Sequence, residues 1–223
     1  MKSSKILWII SLIPLLLSCV AVRFLPDKIP MHYDMAGNID RWGSKYETFI
    51  FPALIIFFSL MWTVISAFYK RMATKTKEEK QQVEYENNVK FLNLAAISMA
   101  LAFSAMHVIF TYSSYVEAIN NASKSSIDIS SVVCVIWGII FIILGNFMPK
   151  VKRNGIMGLR TEKTLSNDDI WRKSNRFAGV TLMIAGLAIA IQALFVSGIA
   201  SVLVMLGIII LVTIVDLIYV ARL

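Results

Sequence analysis

A short polar stretch near the N-terminus holds three side chains that could do chemistry together. His32, Asp34 and Asp40 lie close to one another in the sequence. An imidazole with carboxylates could bind zinc, but a zinc site needs three or four well-placed ligands. Because the stretch has one histidine and no second ligand pair, we expect His32 and Asp40 to hold the loop through hydrogen bonds, with no metal or other cofactor.

The second histidine leaves a metal site open as an alternative. His107 lies in a long apolar run, and Glu117 follows it. If this run packed against the stretch that contains His32, two imidazoles and a carboxylate would converge, which is a ligand set that zinc uses.

A second polar stretch, residues 149–179, separates two strongly apolar runs. Gly155 and Gly158 precede Arg160, and glycine tolerates positive φ and a close backbone approach. The glycines lack the spacing and the following lysine of a phosphate-binding loop. Since the sequence also lacks a recognisable nucleophile–base set, we expect a protein that is not an enzyme.

The same stretch contains a predicted helix start. Ser166 and Asp169 have the spacing of a capping box, in which each side chain bonds the backbone N–H of the other residue. Trp171, Asn175 and Gly179 follow at every fourth position. They therefore share one face of a helix that runs into the next apolar segment.

The composition is typical of a membrane protein. Of the 223 residues, 57% are hydrophobic, and the mean hydropathy is +0.70. A helix needs about 20 apolar residues to cross a bilayer. Six runs approach or exceed that length, which predicts an all-α polytopic membrane protein with six transmembrane helices. The predicted spans are 5–24, 48–69, 91–114, 130–148, 175–196 and 200–220.

The charged residues predict how the chain is oriented. If the N-terminus lies inside, 17 of the 22 lysines and arginines fall in inner segments and 5 in outer segments. This asymmetry follows the positive-inside rule, so both termini are expected in the cytosol. The net charge of +8 then reflects orientation and contact with anionic membrane lipids, rather than direct binding of nucleic acid.

The spans and the charged segments divide the chain into three predicted parts. Residues 1–70 form an N-terminal two-span domain with a structured extracellular loop. Residues 71–90 form a charged helical connector in the cytosol, because glutamate and lysine alternate there. Residues 91–223 form a four-span domain whose basic cytosolic loop is 149–179.

The extracellular loop is predicted to contain a β-hairpin. Pro26 and Pro30 favour extended conformations in the residues before them. Gly37 and Asn38 stand between two extended runs, which is a hairpin signal. Trp42 is expected to anchor the loop at the membrane interface, where aromatic rings concentrate.

Three polar side chains, His107, Gln192 and Asp216, are predicted to lie within the membrane. An acid in a membrane span is costly and is a functional candidate by default. Asp216 lies close to the inner boundary, which leaves three interpretations: pairing with Arg160, handling of a proton or ion, or simple hydration. Gln192 needs a hydrogen-bond partner, because an unpaired polar group is costly to bury.

The fifth span carries a face of small residues. Small side chains let helix backbones approach closely in lipid. The very short connection to the sixth span predicts that helix as the partner. The face consists of Gly179, Gly186, Ala190, Ala193 and Ser197.

The two cysteines, Cys19 and Cys134, lie in apolar runs and are expected to be free thiols rather than a disulfide. The residues before Cys19, Leu16-Leu17-Ser18, resemble a lipoprotein cleavage box, so removal of the first span is an alternative. Apolar residues continue beyond Cys19, which favours a full-length transmembrane helix.

Both polar stretches resemble known sequences. The signature loop of the SdpI family of bacterial membrane proteins is similar to the motif formed here by Asn154, Gly155, Gly158, Arg160, Thr161, Thr164, Trp171, Asn175 and Arg176. An uncharacterised membrane domain that often precedes this loop resembles the earlier motif, which includes His32, Gly37, Asp40, Trp42 and Lys45.

The resemblance implies a location and a function. It places the chain in the bacterial cell membrane as an immunity protein that protects the producing cell from a secreted membrane-active peptide toxin. The extracellular motif would meet the toxin, and the cytosolic motif would capture a small helix-turn-helix repressor in a signalling role. The alternative is a transporter or exporter of a small or peptidic solute, with His107, Gln192 and Asp216 along its path.

The charge asymmetry generates a prediction about topology. In a Cys19→Ser, Cys134→Ser background, Asn38→Cys should react with a membrane-impermeant thiol reagent in intact cells, because residue 38 is expected outside. Lys163→Cys should react only after lysis. The reverse labelling pattern would show that the orientation is inverted.

Overall fold

The protein is described by a computed structural model that covers residues 2–154 and 157–223. Within these residues, six helices are long and apolar enough to cross a membrane. They are α1 (Lys2–Ala21), α2 (Ile50–Lys75), α3 (Glu79–Ile119), α4 (Ile129–Phe147), α6 (Asp168–Gln192) and α7 (Gly198–Arg222), and a short helix α5 (Glu162–Ser166) precedes α6. The predicted multi-pass membrane fold is confirmed.

The charged connector is almost entirely helical. α2 continues to Lys75, and α3 runs without a break from Glu79 to Ile119. Between them the chain is extended at Thr76, whose hydroxyl accepts a hydrogen bond from Glu78 N at 3.3 Å. The predicted charged helix continuous with the third span is confirmed, while the division of the chain into three domains stays a prediction.

The connection between α1 and α2 contains the predicted β-hairpin. β1 (Lys28–Tyr33) pairs antiparallel with β2 (Ile39–Ser44). In the turn, Asp34 Oδ1 accepts backbone hydrogen bonds, including one from Asn38 N at 2.8 Å. Gly37 has a φ of 77°, which glycine adopts without strain. A 3-10 turn then leads from β2 into α2.

The helices pack in two groups. α1, α2 and α3 contact one another, and α4, α6 and α7 form the second group, which meets the first through α3 and α4. Polar contacts join the first group: Ser11 Oγ lies 2.6 Å from Ser59 Oγ, and Ser18 Oγ lies 2.9 Å from His107 Nε2. Such contacts satisfy polar groups that would otherwise be costly in lipid.

α4 and α6 approach each other closely through glycines. A Cβ added to Gly138 would lie 2.6 Å from the carbonyl oxygen of Gly186, and one added to Gly145 would lie 2.6 Å from that of Gly179. The prediction that this face of α6 packs on α7 is wrong. Two glycines lie seven residues apart on α4, and two lie seven residues apart on α6, so the two faces match in spacing and pack closely. A short turn after α6 determines only which helix comes next in the chain.

The start of α6 also differs from the prediction. Asn167, rather than Ser166, caps the helix, and its Oδ1 accepts a hydrogen bond from Asp169 N at 2.7 Å. Ser166 is the last residue of α5. This short helix exists because Thr161 and Thr164 form a capping box of their own.

The two cysteines do not form a disulfide. Cys19 is exposed on α1, and Cys134 is buried in α4. The predicted free thiols are confirmed. α1 continues past Cys19 to Ala21.

The glycine interface predicts a large effect for a small substitution. Gly186→Ala places a methyl group against the carbonyl of Gly138. Overpacking of this kind should lower the melting temperature of the detergent-purified protein by roughly 3–10 °C. Gly207→Ala is the matched control: its Cβ meets no atom within 4 Å, and alanine favours the helix. Equal melting temperatures for the two variants would contradict the interface.

Candidate functional site

The two ends of the helix bundle differ in chemistry. The hairpin end consists of the β-hairpin, the α3–α4 loop (residues 120–128) and the α6–α7 turn (residues 193–197). The motif end consists of the basic stretch 149–179 with the adjoining helix ends. Both ends hold predicted site residues.

A buried carboxylate organises the hairpin end. Glu117, near the end of α3, has a relative exposure of 0%. Among the described residues, it accepts hydrogen bonds at 2.6 Å from Tyr33 Oη, Ser113 Oγ and Ser126 N. The hydroxyls of Ser126 and Ser125 add contacts at 3.0 and 3.2 Å. These neutral donors replace the water that the carboxylate loses on burial.

Backbone hydrogen bonds strengthen the same junction. Ile39 N donates to Ser123 O at 2.9 Å, and Ser125 N donates to Gly37 O at 2.8 Å. The α3–α4 loop therefore lies beside the hairpin tip in the manner of a short third strand. Because Tyr33 belongs to β1, the Glu117 network fixes the hairpin to α3 and to this loop at once.

A second acid connects the loop to the other helix group. Asp128 caps α4 by accepting hydrogen bonds from Ser131 N at 3.3 Å and Ser131 Oγ at 2.6 Å. Its Oδ2 also accepts from Gly198 N, at the start of α7, at 2.9 Å. Burial raises the pKa of Asp128, but these hydrogen bonds outweigh burial and leave the pKa below its usual range. The ionised side chain holds the α6–α7 turn against α4.

An open cleft of about 1120 Å³ lies between these elements. Of the predicted loop residues, His32 and Gly37 line it, whereas Asp40 does not. Its volume slightly exceeds the usual range of small-molecule pockets, so it is large enough for a short peptide segment. The wall is mainly apolar and includes Met31 of the hairpin, Phe110 of α3, Ile127 of the loop and Ile199 of α7.

The other predicted hairpin residues hold its shape and form its exposed surface. His32 Nδ1 lies 2.6 Å from Asp40 Oδ1, which confirms that this pair holds the loop. Lys45 Nζ lies 2.9 Å from Asp27 Oδ1, and the hydrogen bond and charge of Lys45 lower the pKa of Asp27. Trp42 is 41% exposed on β2.

The described part of the chain contains no group of three His, Cys, Asp or Glu side chains that could hold a metal ion. His32 contacts Asp40, His107 contacts Ser18, and Glu117 is surrounded by neutral donors. Within the described residues, the two imidazoles and Glu117 therefore have separate partners and do not form one ligand group.

Two buried asparagines shape the signature motif at the other end. Asn154 Oδ1 accepts a hydrogen bond from Met157 N at 2.8 Å, and its Nδ2 donates to Lys152 O at 2.8 Å. Asn175, on α6, accepts a hydrogen bond from Leu159 N at 2.8 Å. Together the two amides fold the motif loop onto the helix.

Close packing holds the loop in this position. Trp171 is buried, and its Nε1 donates to Val151 O at 2.8 Å. Gly158 has a φ of 98°, and a Cβ at this position would clash with Asn175 Oδ1. Glycine is therefore required at Gly158 both for its backbone conformation and for its contact with α6.

The remaining motif residues divide into buried and exposed groups. Thr164 is fully buried, and its Oγ1 accepts a hydrogen bond from Thr161 N at 2.8 Å. Arg160 and Arg176 are exposed. Gly155 lies outside the described residues. The buried motif residues thus shape a surface on which arginines are displayed.

The three polar residues predicted within the membrane lie apart from one another. Asp216 accepts a hydrogen bond from Thr181 Oγ1 at 2.7 Å. Gln192 is the last residue of α6, and its Nε2 donates to Ser201 Oγ at 3.0 Å. His107 contacts Ser18 of α1, in the other helix group.

These contacts correct two expectations. Among the described residues, Asp216 forms no ion pair with Arg160. Its carboxylate, on α7, instead accepts a hydrogen bond from the hydroxyl of Thr181 on α6. Gln192 ends a helix instead of lying deep within a span. His107 bonds between α3 and α1, whereas Gln192 and Asp216 both bond between α6 and α7, so His107 lies in a different helix group from the other two.

Two family models match the chain. The model described as SdpI/YfhL protein family matches residues 150–220, which hold the signature motif and α5 to α7. The model described as Domain of unknown function (DUF1648) matches residues 9–56, which hold most of α1 and the hairpin. Immunity protein SdpI of Bacillus subtilis (strain 168) is 25% identical over 195 residues, which cover 87% of this chain and 83% of that protein. Residues 150–220 are therefore similar to the SdpI/YfhL protein family, and most of the chain is similar to that immunity protein. No solved structure matches it.

Sequence reasoning names Glu117 only as a possible metal ligand and does not name Asp128 as a site residue. Ser113 stands four residues before Glu117, at the spacing of helical neighbours, and Asp128 stands three residues before Ser131, at the spacing of an N-cap. These local signals were available in the sequence. They do not reveal Tyr33, which lies 84 positions away from Glu117.

The Glu117 network generates a stability prediction. Burial and the hydrogen bond to Glu117 raise the pKa of the Tyr33 hydroxyl well above its usual range, so it remains a donor. Tyr33→Phe removes this donor from a buried carboxylate and should cost about 1–3 kcal/mol of stability, measured by thermal unfolding. Tyr46→Phe, at a residue that is 64% exposed, is the matched control. An unchanged melting temperature for Tyr33→Phe would rule out this role.

Proposed function

We propose that this chain is an immunity protein that protects the bacterium producing it from a secreted membrane-active peptide toxin. The observation that carries the proposal is the similarity to Immunity protein SdpI, which extends over 87% of the chain. Both motif regions fall within matches to family models. The likeness is therefore not confined to generic apolar spans.

The hairpin end is the proposed toxin-binding surface. The positive-inside asymmetry, with 17 of 22 basic residues in inner segments, supports placing this end outside the cell and both termini in the cytosol. The cleft and the exposed ring of Trp42 supply apolar area for a membrane-active peptide. The proposed contact residues are His32, Gly37, Asp40, Trp42 and Lys45.

The motif end is the proposed binding surface for a small helix-turn-helix repressor in the cytosol. Trp171 and Asn175 are buried, so they act by shaping the surface and not by touching a partner. Arg160 and Arg176 are exposed and are suited to pair with carboxylates of a bound protein. Captured repressor would be withdrawn from its operators.

Separate variants test the two proposed surfaces with two readouts. Toxin-sensitive bacteria expressing the chain are treated with spent medium of the bacterium that encodes it, and survival is measured against dilution. The wild type should raise the dose for half-killing at least about tenfold. Trp42→Ala should lose most of this protection, because it removes exposed apolar contact area, while Tyr46→Ala retains it.

The second readout is the membrane-bound fraction of the repressor whose gene lies nearest to that of this chain. Arg176→Ala should lower this fraction several-fold and leave survival unchanged, because residue 176 lies about a bilayer away from the hairpin. Lys173→Ala, an exposed position outside the motif, is the control. Survival that never exceeds that of cells lacking the chain would overturn the immunity function. Loss of both readouts in parallel, at normal protein levels, would overturn the separation of surfaces.

A further inference from the structure

A second cavity lies beside the cleft, on the flank of the bundle. It is a groove of about 300 Å³ between α1 and α3, and its wall is almost entirely apolar. Val20 and Tyr112, which line it, are 57% and 68% exposed on the side that faces lipid in a membrane. The groove is therefore open to the bilayer, whereas the cleft is open at the hairpin end.

The groove and the cleft share a wall. His107 and Thr111 line both cavities. The imidazole of His107 is held by Ser18 Oγ of α1 at 2.9 Å and stacks on Phe51 of α2, with ring centroids 6.1 Å apart. Thr111 Oγ1 lies 3.4 Å from Thr48 Oγ1. The two cavities therefore adjoin at His107 and Thr111, with the apolar groove on the flank of the bundle and the polar-rimmed cleft at the hairpin end.

The rim of the cleft carries an available cation. Lys124 lines the cleft and is exposed, and within the described residues it forms no ion pair. Arg41, the other lysine or arginine in the wall, is paired with Glu47 at 2.9 Å. Asp34 lies near Lys124, but its oxygens accept hydrogen bonds from the hairpin turn. Lys124 can therefore pair with an anionic group of a ligand.

We propose that the cleft and the groove form one site for an amphipathic peptide captured from the outer leaflet. One bulky apolar side chain of the peptide enters the groove, the following residues lie in the cleft, and a carboxylate pairs with Lys124. This inference rests on the proposed immunity function and deepens it. It makes the ligand a membrane-inserted peptide with an acidic residue or a free C-terminus near its apolar segment.

The dimensions agree with a short segment. His107, which lines both cavities, and Ser114, which lines the cleft, are seven residues apart on α3, which is about 10 Å along the helix. Roughly three extended residues span this distance. A lipid acyl chain also fits the groove, and a lipid phosphate can pair with Lys124. Lipid is therefore the competing occupant.

Neighbouring positions on α1 provide a matched test. Leu17 lines the groove and is 43% exposed, whereas Leu16 is 64% exposed and does not line it. Leu17→Trp should fill the groove and reduce protection against spent medium at least about tenfold, while Leu16→Trp should protect like the wild type. If Leu17→Trp does not accumulate in the membrane, Val108→Trp on the opposite wall replaces it.

Lysine variants test the polar part of the site. Lys124→Gln should weaken protection several-fold, and Lys28→Gln, at an exposed hairpin position outside both cavities, should not. Benzoylphenylalanine at position 17 or 16 then identifies the occupant. The protein is irradiated in the presence of spent medium, and its mass is then measured. We expect a mass increase from a cross-linked peptide when the probe is at position 17, and no such increase when it is at position 16.

The outcomes separate this inference from the immunity function. Full protection by Leu17→Trp, or only lipid adducts at position 17 while the wild type protects, overturns the groove and leaves immunity standing. Absence of protection by the wild type overturns both. Protection that is lost equally in Lys124→Gln and Lys28→Gln overturns the role of Lys124.

Discussion

The carboxylate of Glu117 is the interaction on which the hairpin end depends. A buried carboxylate is tolerated only where hydrogen bonds replace its hydration. Here the donors come from the hairpin, from α3 itself and from the α3–α4 loop, so the charge is satisfied only when all three are in place. The cleft has these same elements as walls. The Glu117 network therefore fixes three of the elements that line the cleft.

The motif end depends on amide groups and close packing instead of a charge. Asn154 and Asn175 bond loop backbone that would otherwise be unpaired, and Trp171 and Gly158 bring that loop against α6. A polar motif in an apolar sequence is easily interpreted as a ligand-binding site. In this fold, most of its described residues pack or hydrogen-bond within the protein, while the side chains of Arg160 and Arg176 lie at the surface.

α6 joins the two ends of the molecule. It begins beside the motif loop, and the turn that follows it is held by Asp128 through Gly198 N. Gly179 and Gly186 set its separation from α4 along the way. If the turn after α6 were displaced, α6 would move as a rigid unit, and Asn175 would move with it. Such a link is allosteric only if ligand binding at one end changes affinity at the other.

The sequence by itself determined what depends on local composition. Apolar runs of membrane-spanning length predicted all six helices, and the Gly37–Asn38 pair predicted the hairpin, because span length and turn conformation are local properties. The pairing of His32 with Asp40 was also within reach, since the two lie on neighbouring strands. Only the tertiary structure decided contacts between distant segments. In the tertiary structure, Tyr33 donates a hydrogen bond to Glu117, and Asp216 accepts a hydrogen bond from a hydroxyl of α6 rather than pairing with Arg160. The small-residue face of α6 packs against α4. Each of these outcomes depends on which helices become neighbours, and that is settled by the packing of the whole bundle.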